Sequence, residues 1–363
     1  MPTAPHRRIN LRDIAEAAGC HFSTVSLALR NHPRLPRATC ERVQAVAREL
    51  GYVPDPMLTS LANYRNGLRP VAYQATLAWV TNYPTQTGWR AAPIFEDYFL
   101  SASERATGLG YKLEEFWLRE RGMTPMRATQ ILRARKITGL LFAPQPAPGT
   151  QIELDWAQFS AVSIGFSLIS PRLHLVCPHQ YRAARLAMQE LARRGYRRPG
   201  LVMLKASDER VDQNWSAGFR VEQQTLAARD RLEPLFQDEW DEAGFTAWLR
   251  RVKPDVVVTK FPEVQAALRR WERAGGRETG AVYLTCTEPG GERAGVYENP
   301  REVGAAAIDY LSGMIQRNER GVPTVPQRLL IESSWVEGRT VRGLARANAV
   351  AKGGPVVGAG VVA

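Results

Sequence analysis

The sequence is poor in cysteine and has no cysteine pair at the spacing of a disulfide framework or a zinc site. Its 363 residues include four cysteines, Cys20, Cys40, Cys177 and Cys286, which lie far apart and form no C-x-x-C pair. This pattern argues against both kinds of site and fits a reducing compartment. The five histidines lack metal-ligand spacing as well. We therefore predict no bound metal and no cofactor.

Long apolar runs are also missing. No stretch approaches the roughly 18 uninterrupted apolar residues of a membrane span, and the N-terminal residues MPTAPHRRINLRD contain no apolar signal-peptide segment. A transmembrane helix and a secretory leader are therefore not expected. We predict a cytoplasmic protein with no membrane partner.

The motifs of common nucleotide-dependent and hydrolytic enzymes are absent from the sequence. It contains no G-x-G-x-x-G after a strand-like run, no G-x-x-x-x-G-K-[ST] and no G-x-S-x-G. An enzyme built on a Rossmann-like core is therefore the least supported alternative, and we expect no enzymatic activity. There is also no C-terminal heptad repeat, which argues against a tetramerising coiled coil.

Positive charge is in excess. The formal net charge is +12 and the pI is near 9.9, which favours a polyanionic partner. Residues 1–65 contain nine Lys or Arg against five Asp or Glu, so the excess is spread along the chain. A generally basic, arginine-rich proteome is the alternative explanation.

The N-terminal part of the sequence has the periodicity of three short helices. Apolar residues recur at helical spacing in LRDIAEAAG, and Gly19 is expected to end that helix. A second helix is predicted to begin near Ser23 or Thr24, and a third to run from about Arg37 to Leu50. Two helices joined by a glycine-containing turn and closed by a third are typical of a helix-turn-helix domain.

After Pro70, strand-like runs alternate with amphipathic helices. Examples are QATLAWV, GLLFAP, PGLVML and PDVVVT as strands, with QYRAARLAMQELARRGY and PEVQAALRRWERAG as helices. Such βα alternation predicts parallel sheets flanked by helices, and roughly 270 residues suit two sheets rather than one. The predicted fold class is multidomain, with a small all-α helix-turn-helix domain and a two-lobed α/β core of parallel sheets.

Three motifs in residues 10–62 give this arrangement a family resemblance. LRDIAEAAG, STVS and ERVQAVARELGYVP occur in that order, and the sequence here resembles the lactose-repressor (LacI) family of bacterial transcription regulators. A generic alanine-rich three-helix unit would share the periodicity but not these motifs in this order. The resemblance implies a core like that of periplasmic sugar-binding proteins. In that core the sequence similarity to the family weakens to a general pattern.

The family resemblance and the βα alternation together predict the domain boundaries. We predict a helix-turn-helix domain at 1–53, a hinge helix at 54–66, a linker at 67–74 and a flexible tail at 346–363. The N-terminal lobe of the core is predicted to comprise 75–177 and 286–324, and the C-terminal lobe 178–285 and 325–345.

The resemblance places the DNA contacts on the second helix, whose N-terminal residues reach base edges in the major groove. Leu27 stands where family members commonly carry a polar or basic residue, and His21 where a serine is usual. Phe22 and Leu27 are therefore expected to meet thymine methyl groups rather than guanine, unless Phe22 packs against its own domain. Arginines in this region are phosphate contacts or solvated surface charges. The candidate contacts are Asn10, Phe22, Ser23, Thr24, Ser26, Leu27, Arg30 and Arg34.

The segment YVPDPMLTSLANYR, residues 52–65, predicts a short helix that begins at Asp55 and Pro56. An isolated helix of this length is marginal in water. In the family, the corresponding hinge helix lies in the DNA minor groove as a dimer pair, and a leucine wedges between base steps. We predict that Leu58 and Leu61 contact DNA and that 55–65 is poorly ordered without operator; docking on the core is the alternative.

Ligands of parallel α/β sheets bind beyond the C-terminal ends of the strands, and the family binds its effector between the lobes. The candidates selected on this basis are Asn82, His179, Gln180, Trp215, Lys260 and Thr285. The resemblance implies an arginine at position 215, an Asn-Asp pair at 260 and 261, and an aspartate at 179. Their absence disfavours a standard sugar effector and leaves a sugar acid or another small anion. Core packing of Trp215 and a decayed effector function are the alternatives.

The sequence therefore predicts a sequence-specific transcription regulator, most simply a repressor. It is expected to bind a pseudo-palindromic double-stranded DNA operator as a homodimer and to respond to a small-molecule effector. The alternative is a solute-binding module of transporter type without a role in DNA binding. Such a module would share the two-lobed core, but it would need a signal peptide and would have no helix-turn-helix.

Overall fold

The structure is a computed structural model that describes residues 10–29, 35–50, 52, 75–286 and 291–341. The predicted hinge helix, the linker and the tail at 346–363 lie outside these residues. Among the described residues, no helix is long and apolar enough to cross a membrane. The same part of the chain contains no group of three or more His, Cys, Asp or Glu side chains arranged to hold a metal ion.

The N-terminal domain has the three predicted helices, α1 (Leu11–Ala18), α2 (Phe22–Leu29) and α3 (Arg37–Glu49). Gly19 ends α1 in the left-handed conformation, at φ 62°, as a glycine C-cap allows. The domain core is formed by apolar side chains from all three helices, among them the fully buried Ile14, Val25 and Val43. Helical periodicity was therefore sufficient to place these helices.

The rest of the described chain alternates strands and helices. The helices are α4 (Pro93–Gly108), α5 (Pro125–Ala134), α6 (Gln180–Arg193), α7 (Lys205–Glu209), α8 (Asn214–Gln223), α9 (Glu242–Val252), α10 (Glu263–Arg273) and α11 (Pro300–Arg317). The strands are β1 (Ala75–Thr81), β2 (Tyr111–Trp117), β3 (Gly139–Phe142), β4 (Thr150–Gln151), β5 (Ser160–Ile164), β6 (Leu168–Ser170), β7 (His174–Pro178), β8 (Pro199–Leu204), β9 (Leu235–Gln237), β10 (Val256–Thr259), β11 (Gly280–Cys286), β12 (Gly295–Tyr297), β13 (Arg328–Ile331) and β14 (Ser334–Val336).

Twelve of these strands form two large sheets, which define two lobes, and β4 and β6 form a separate two-stranded sheet. In the described residues the first sheet has the order β13-β7-β5-β3-β1-β2, and the second has the order β14-β12-β11-β10-β8-β9. Neighbouring strands pair in parallel, except for the antiparallel pair of β12 and β14. Each sheet is covered by apolar clusters on both faces, as parallel sheets require. The predicted fold class is confirmed.

Two short strands correct the predicted division of the core. β12 pairs with β11 in the second sheet, although 286–324 is predicted for the N-terminal lobe. β13 pairs with β7 in the first sheet, although 325–345 is predicted for the C-terminal lobe. Strands of three or four residues carry too little pattern to be recognised, and β13 pairs with a strand far away in the sequence. In the described residues the chain therefore passes between the lobes after β7, after β12 and after β13.

A glycine brings two helices into close contact in each lobe. In the first lobe, α11 packs against α4, and a Cβ atom at Gly304 would overlap the carbonyl oxygen of Tyr98. In the second lobe, α8 packs against α6, and a Cβ atom at Gly218 would overlap the carbonyl oxygen of Tyr181. Neither position accepts a side chain without a backbone shift.

Candidate functional site

The second helix of the N-terminal domain exposes its N-terminal end. Val25 and Ala28 of α2 are fully buried against the other two helices. Phe22 is 49% exposed and Ser23 is exposed, so neither side chain belongs to the buried core of the domain. The other candidates on this helix, Thr24, Ser26 and Leu27, are half-buried.

His21 caps this helix, a role that the sequence did not reveal. Its Nδ1 lies 2.7 Å from the hydroxyl oxygen of Ser23 and accepts a longer hydrogen bond, 3.4 Å, from the backbone N–H of Ser23. An acceptor at Nδ1 requires the ring proton on Nε2. The His21 and Phe22 rings also contact each other, with centroids 4.6 Å apart. A polar residue immediately before a helix is the signal that would have identified the cap.

Asn10 caps the first helix through a capping box. Its Oδ1 accepts hydrogen bonds from the backbone N–H groups of Arg12 (2.8 Å) and Asp13 (3.3 Å), and Asp13 accepts one from the N–H of Asn10 (2.7 Å). A phosphate contact by Asn10 must therefore use its amide N–H group. The remaining DNA-binding candidates, Arg30, Arg34, Leu58 and Leu61, lie outside the described residues.

A cavity of about 350 Å³ lies between the two lobes. The first lobe contributes mainly apolar and aromatic side chains, among them Ile94, Phe95, Tyr98, Ile164 and Phe166. All charged residues in the described part of the lining, Arg210, Lys260, Arg293 and Glu298, come from the second lobe and the segment that leaves it. The cavity thus has one apolar wall and one charged wall.

Four of the predicted effector residues line this cavity, and two do not. Gln180, Trp215, Lys260 and Thr285 are lining residues, whereas Asn82 and His179 lie outside the lining. The Oδ1 of Asn82 instead accepts a hydrogen bond from Arg119 Nε at 3.1 Å. His179 lies where the chain leaves the first lobe, and its backbone N–H donates to the carbonyl oxygen of Ile331 at 2.8 Å.

Arg210, Glu298 and the aromatic wall were not among the residues predicted from the sequence. Glu298 follows β12, so the strand-end rule would have selected it if that three-residue strand had been recognised. Arg210 follows the short helix α7 and Phe95 lies within α4, so no strand-end rule applies to either. Phe166 lies in the loop after β5, in the stretch AVSIGF, and could have been selected.

Glu298 is the buried carboxyl group of the cavity. Its Oε2 accepts a hydrogen bond from the Thr285 hydroxyl at 3.2 Å, and its Oε1 has no partner. Burial raises the pKa of Glu298 to about 7, although the Lys260 ammonium and the Thr285 hydrogen bond oppose this rise. The carboxyl group therefore changes its charge near neutral pH.

The Lys260 ammonium interacts with this carboxyl group, and Arg210 in turn acts on Lys260. Burial lowers the pKa of Lys260, while Glu298 raises it and Arg210 lowers it further. The Lys260 Nζ lies 5.4 Å from the centroid of the Trp215 ring, within the range of a cation–π contact. Trp215 is itself buried, and its indole N–H has no hydrogen-bond partner.

Arg210 connects the second lobe to the first. Its guanidinium donates hydrogen bonds to the carbonyl oxygens of Gln145 and Pro146, the second at 3.0 Å, and lies 5.8 Å from the Phe95 ring centroid. Burial lowers the pKa of Arg210, with a smaller opposing effect from Tyr83. Because these bonds join the two lobes, any ligand that attracts Arg210 changes a contact between the lobes.

Comparison with known proteins agrees with this architecture. The sequence profile for bacterial regulatory proteins of the lacI family matches residues 10–55. The maltose regulon regulatory protein MalI of Escherichia coli K12 is 41% identical over 68 residues, a match that covers 19% of this chain and 19% of that relative. Because both sequence matches are confined to a small part of the chain, the two-lobed core must be compared by structure.

Two solved structures resemble the chain over most of its length. A complex of the transcriptional regulator CelR with cellobiose has a TM-score of 0.53 at 19% identity, covering 92% of this chain and 100% of that one. The lac repressor dimer bound to operator and the anti-inducer ONPF has a TM-score of 0.51 at 17% identity, covering 92% and 99%. Likeness at this level of identity shows the fold. The helix-turn-helix domain is thus matched in sequence by the lacI family of bacterial regulatory proteins, and the two-lobed core is matched in fold by these two structures.

Proposed function

We propose that the chain is a sequence-specific DNA-binding regulator of transcription, acting as a repressor, whose interlobe cavity binds a small-molecule effector. The observation that carries this proposal is the exposed end of α2, where Phe22 and Ser23 face solvent while Val25 and Ala28 hold the helix in the domain. A helix held in this way enters the major groove with its N-terminal side chains toward the base edges. The net charge of +12 supports contact with phosphates.

The side chains of α2 that are not buried indicate how the operator is read. Phe22 and Leu27 offer apolar contact to thymine methyl groups, and neither can make the bidentate contact that arginine makes with guanine. Thr24, Ser26 and the amide group of Asn10 are assigned to phosphate oxygens, which fix the register of the helix but read no sequence. Arg30 and Arg34 are further phosphate contacts in this proposal.

The protein acts as a homodimer in this proposal. The lac repressor, which shares the fold, is described as a dimer bound to operator, and two copies of α2 require two half-sites. The operator is therefore pseudo-palindromic. Leu58 and Leu61 are assigned to the minor groove at its centre, where apolar side chains unstack a base step and bend the duplex.

The cavity couples the effector to DNA binding. The fold relative CelR is described in complex with cellobiose, which supports a small-molecule ligand for a core of this kind. An effector that alters operator affinity must have its own affinity altered by operator in the same proportion. This function is regulatory rather than catalytic. A transporter-type solute-binding module would account for the core but not for the helix-turn-helix domain.

Selection of bound sequences from a random DNA pool tests the DNA-binding part directly. The full-length protein is expected to select a palindrome, with A·T pairs at the positions read by α2. Phe22→Ala should weaken operator binding by roughly tenfold, because a base contact contributes about 1–3 kcal/mol. Met126→Ala is the matched control, since Met126 is an apolar residue 70% exposed on the first lobe and should leave operator affinity unchanged. A selected pool with no consensus would contradict the proposal.

A further inference from the structure

The charged wall of the interlobe cavity carries more positive than negative charge. Among the described residues, its lining includes three cationic side chains, Arg210, Lys260 and Arg293, and one carboxyl group, Glu298. Arg210 bonds carbonyl oxygens, and Lys260 forms no ion pair with any residue in the described part of the chain. Even with Glu298 ionised, two positive charges of this described lining remain without a carboxylate partner in it. Uncompensated charge beside a partly buried cavity favours an anionic ligand.

The opposite wall has no charge and is suited to a flat apolar group. Phe95, Tyr98 and Phe166 supply rings, and Ile94 and Ile164 supply aliphatic contacts. Hydroxyl groups of a sugar placed against the Phe95 and Phe166 rings and these aliphatic side chains would lose water without gaining hydrogen bonds. A volume of about 350 Å³ is at the small end of ligand pockets, so one ring with its substituents fills it.

Buried polar atoms of the lining can form hydrogen bonds with hydroxyl groups on that ring. Three lining residues have a buried polar atom without a partner, namely Gln180 Oε1, Glu298 Oε1 and Trp215 Nε1. Two of these atoms are acceptors and the third is a donor. A hydroxyl group can donate to either acceptor or accept from the indole N–H after a small side-chain rotation.

We propose that the effector is a small hydroxylated aromatic monocarboxylic acid, with its ring against Phe95 and Phe166 of the first lobe and its carboxylate at Lys260 of the second. This inference rests on the proposed function of the cavity as an effector site. It keeps the acid of the sequence-based prediction and replaces the sugar by an aromatic ring. A dianionic group such as a phosphate ester is disfavoured, because Glu298 lies beside the same cations.

Isothermal titration calorimetry of the full-length protein, without DNA, tests the proposal. The probes are 4-hydroxybenzoate and 3,4-dihydroxybenzoate, with 4-hydroxybenzamide as the neutral analogue, gluconate as the sugar acid, and glucose and cellobiose as neutral sugars. We expect a hydroxybenzoate to bind at least tenfold more tightly than the amide, gluconate and either sugar. Because no DNA is present, failure of operator binding and failure of this proposal are distinguished.

Lys260→Met identifies the anion contact. It should weaken hydroxybenzoate binding by roughly 10- to 100-fold, the range for loss of a charge-assisted hydrogen bond, and leave the weaker binding of the amide unchanged. Lys205→Met is the control, because Lys205 is an exposed lysine of the same lobe that pairs with Asp238 and does not line the cavity. Thermal unfolding establishes that both variants are folded.

Three results would overturn the proposal. The first is equal binding of acid and amide, which would show that the carboxylate charge is not recognised. The second is tighter binding of gluconate or a neutral sugar, which would show that an aromatic ring is not required. The third is a folded wild-type protein that binds none of the aromatic acids.

Discussion

The two lobes of the core are built alike but present opposite chemistry to the cavity between them. Each contains a six-stranded sheet in the described residues, and each uses a glycine to bring two helices together. The first lobe offers Phe95 and Phe166 to the cavity, whereas the second offers Arg210, Lys260 and Glu298. Structural equivalence in this fold therefore does not imply functional equivalence.

This difference indicates how a ligand can change the arrangement of the two lobes. A ligand with one apolar and one charged end satisfies both walls only when it contacts both lobes. Arg210 already donates hydrogen bonds to the carbonyl oxygens of Gln145 and Pro146 in the first lobe, so it is a group that such a ligand can attract. A ligand shifts the lobe arrangement only by its difference in affinity for two arrangements, and contacts on both sides supply that difference.

The largest effect is expected where the lobes are equivalent. Gly304→Ala in the first lobe and Gly218→Ala in the second should each lower the free energy of unfolding by about 3 kcal/mol, because each new Cβ atom meets a backbone carbonyl. Denaturant unfolding monitored by circular dichroism measures both. Gly108→Ala is the control, since a Cβ atom there has no neighbour within 4 Å. A neutral result at either contact glycine would break the structural equivalence of the lobes.

The second prediction concerns the charged wall and pH. The folded-state pKa of Glu298 is about 7, above its ordinary value of 4.5, so the folded state retains a proton that the unfolded state has released between these values. Its contribution to stability is therefore fully present below about pH 4.5 and is lost as the pH rises through 7. Between pH 5 and 8 the wild type should lose about 2 kcal/mol more stability than Glu298→Gln.

Urea unfolding of both proteins at several pH values measures this difference. The other groups that face Glu298 are Lys260, Tyr98, Cys177 and Cys286. Burial raises the pKa values of Tyr98, Cys177 and Cys286 above this pH range, so they remain neutral in it. Parallel pH profiles for wild type and variant would contradict the assignment.

The third prediction separates the walls by their ligands. Phe166→Ala on the apolar wall should weaken 4-hydroxybenzoate and 4-hydroxybenzamide alike, by roughly tenfold, because the removed ring contributes apolar contact to both. Lys260→Met should weaken the acid alone. Calorimetry with both probes on both variants makes the comparison. If the two substitutions change the acid-to-amide ratio equally, the division of roles between the lobes is wrong.

The smallest effect lies outside both lobes, at the cap of α2. His21→Ala should lower the stability of that helix by about 1 kcal/mol, whereas His21→Ser should retain the cap. Hydrogen exchange at the first amides of α2 in the full-length protein reports the difference. Equal protection in the alanine variant and the wild type would show that the His21 ring contributes nothing to this helix.

Sequence patterns predicted the parts of this molecule that are encoded locally. Helical periodicity and Gly19 located the N-terminal helices, and βα alternation predicted parallel sheets, because each signal lies within one element. β12 and β13 were assigned to the wrong lobes because strand pairing is decided by distant partners. Lys260 and Thr285 were found at strand ends, and Trp215 by resemblance to a family position.

The character of the cavity could not be predicted from any one segment. Arg210 and Phe95 follow no strand, and their roles depend on the packing of one lobe against the other. Asn82 and His179 satisfied the strand-end rule, yet they lie outside the lining because the rule selects an edge of a sheet and not a point on that edge. No sequence motif corresponds to the excess positive charge of the second-lobe wall or to the apolar wall of the first lobe.

The most direct test of the account is the effect of a cavity ligand on operator affinity. The operator obtained by selection is labelled, and its binding to the full-length protein is followed by fluorescence anisotropy with and without a saturating hydroxybenzoate. We expect a change in operator Kd of roughly 5- to 150-fold for the wild type and none for Lys260→Met at the same ligand concentration. If an acid saturates the cavity by calorimetry and leaves the operator Kd unchanged, the cavity does not regulate DNA binding.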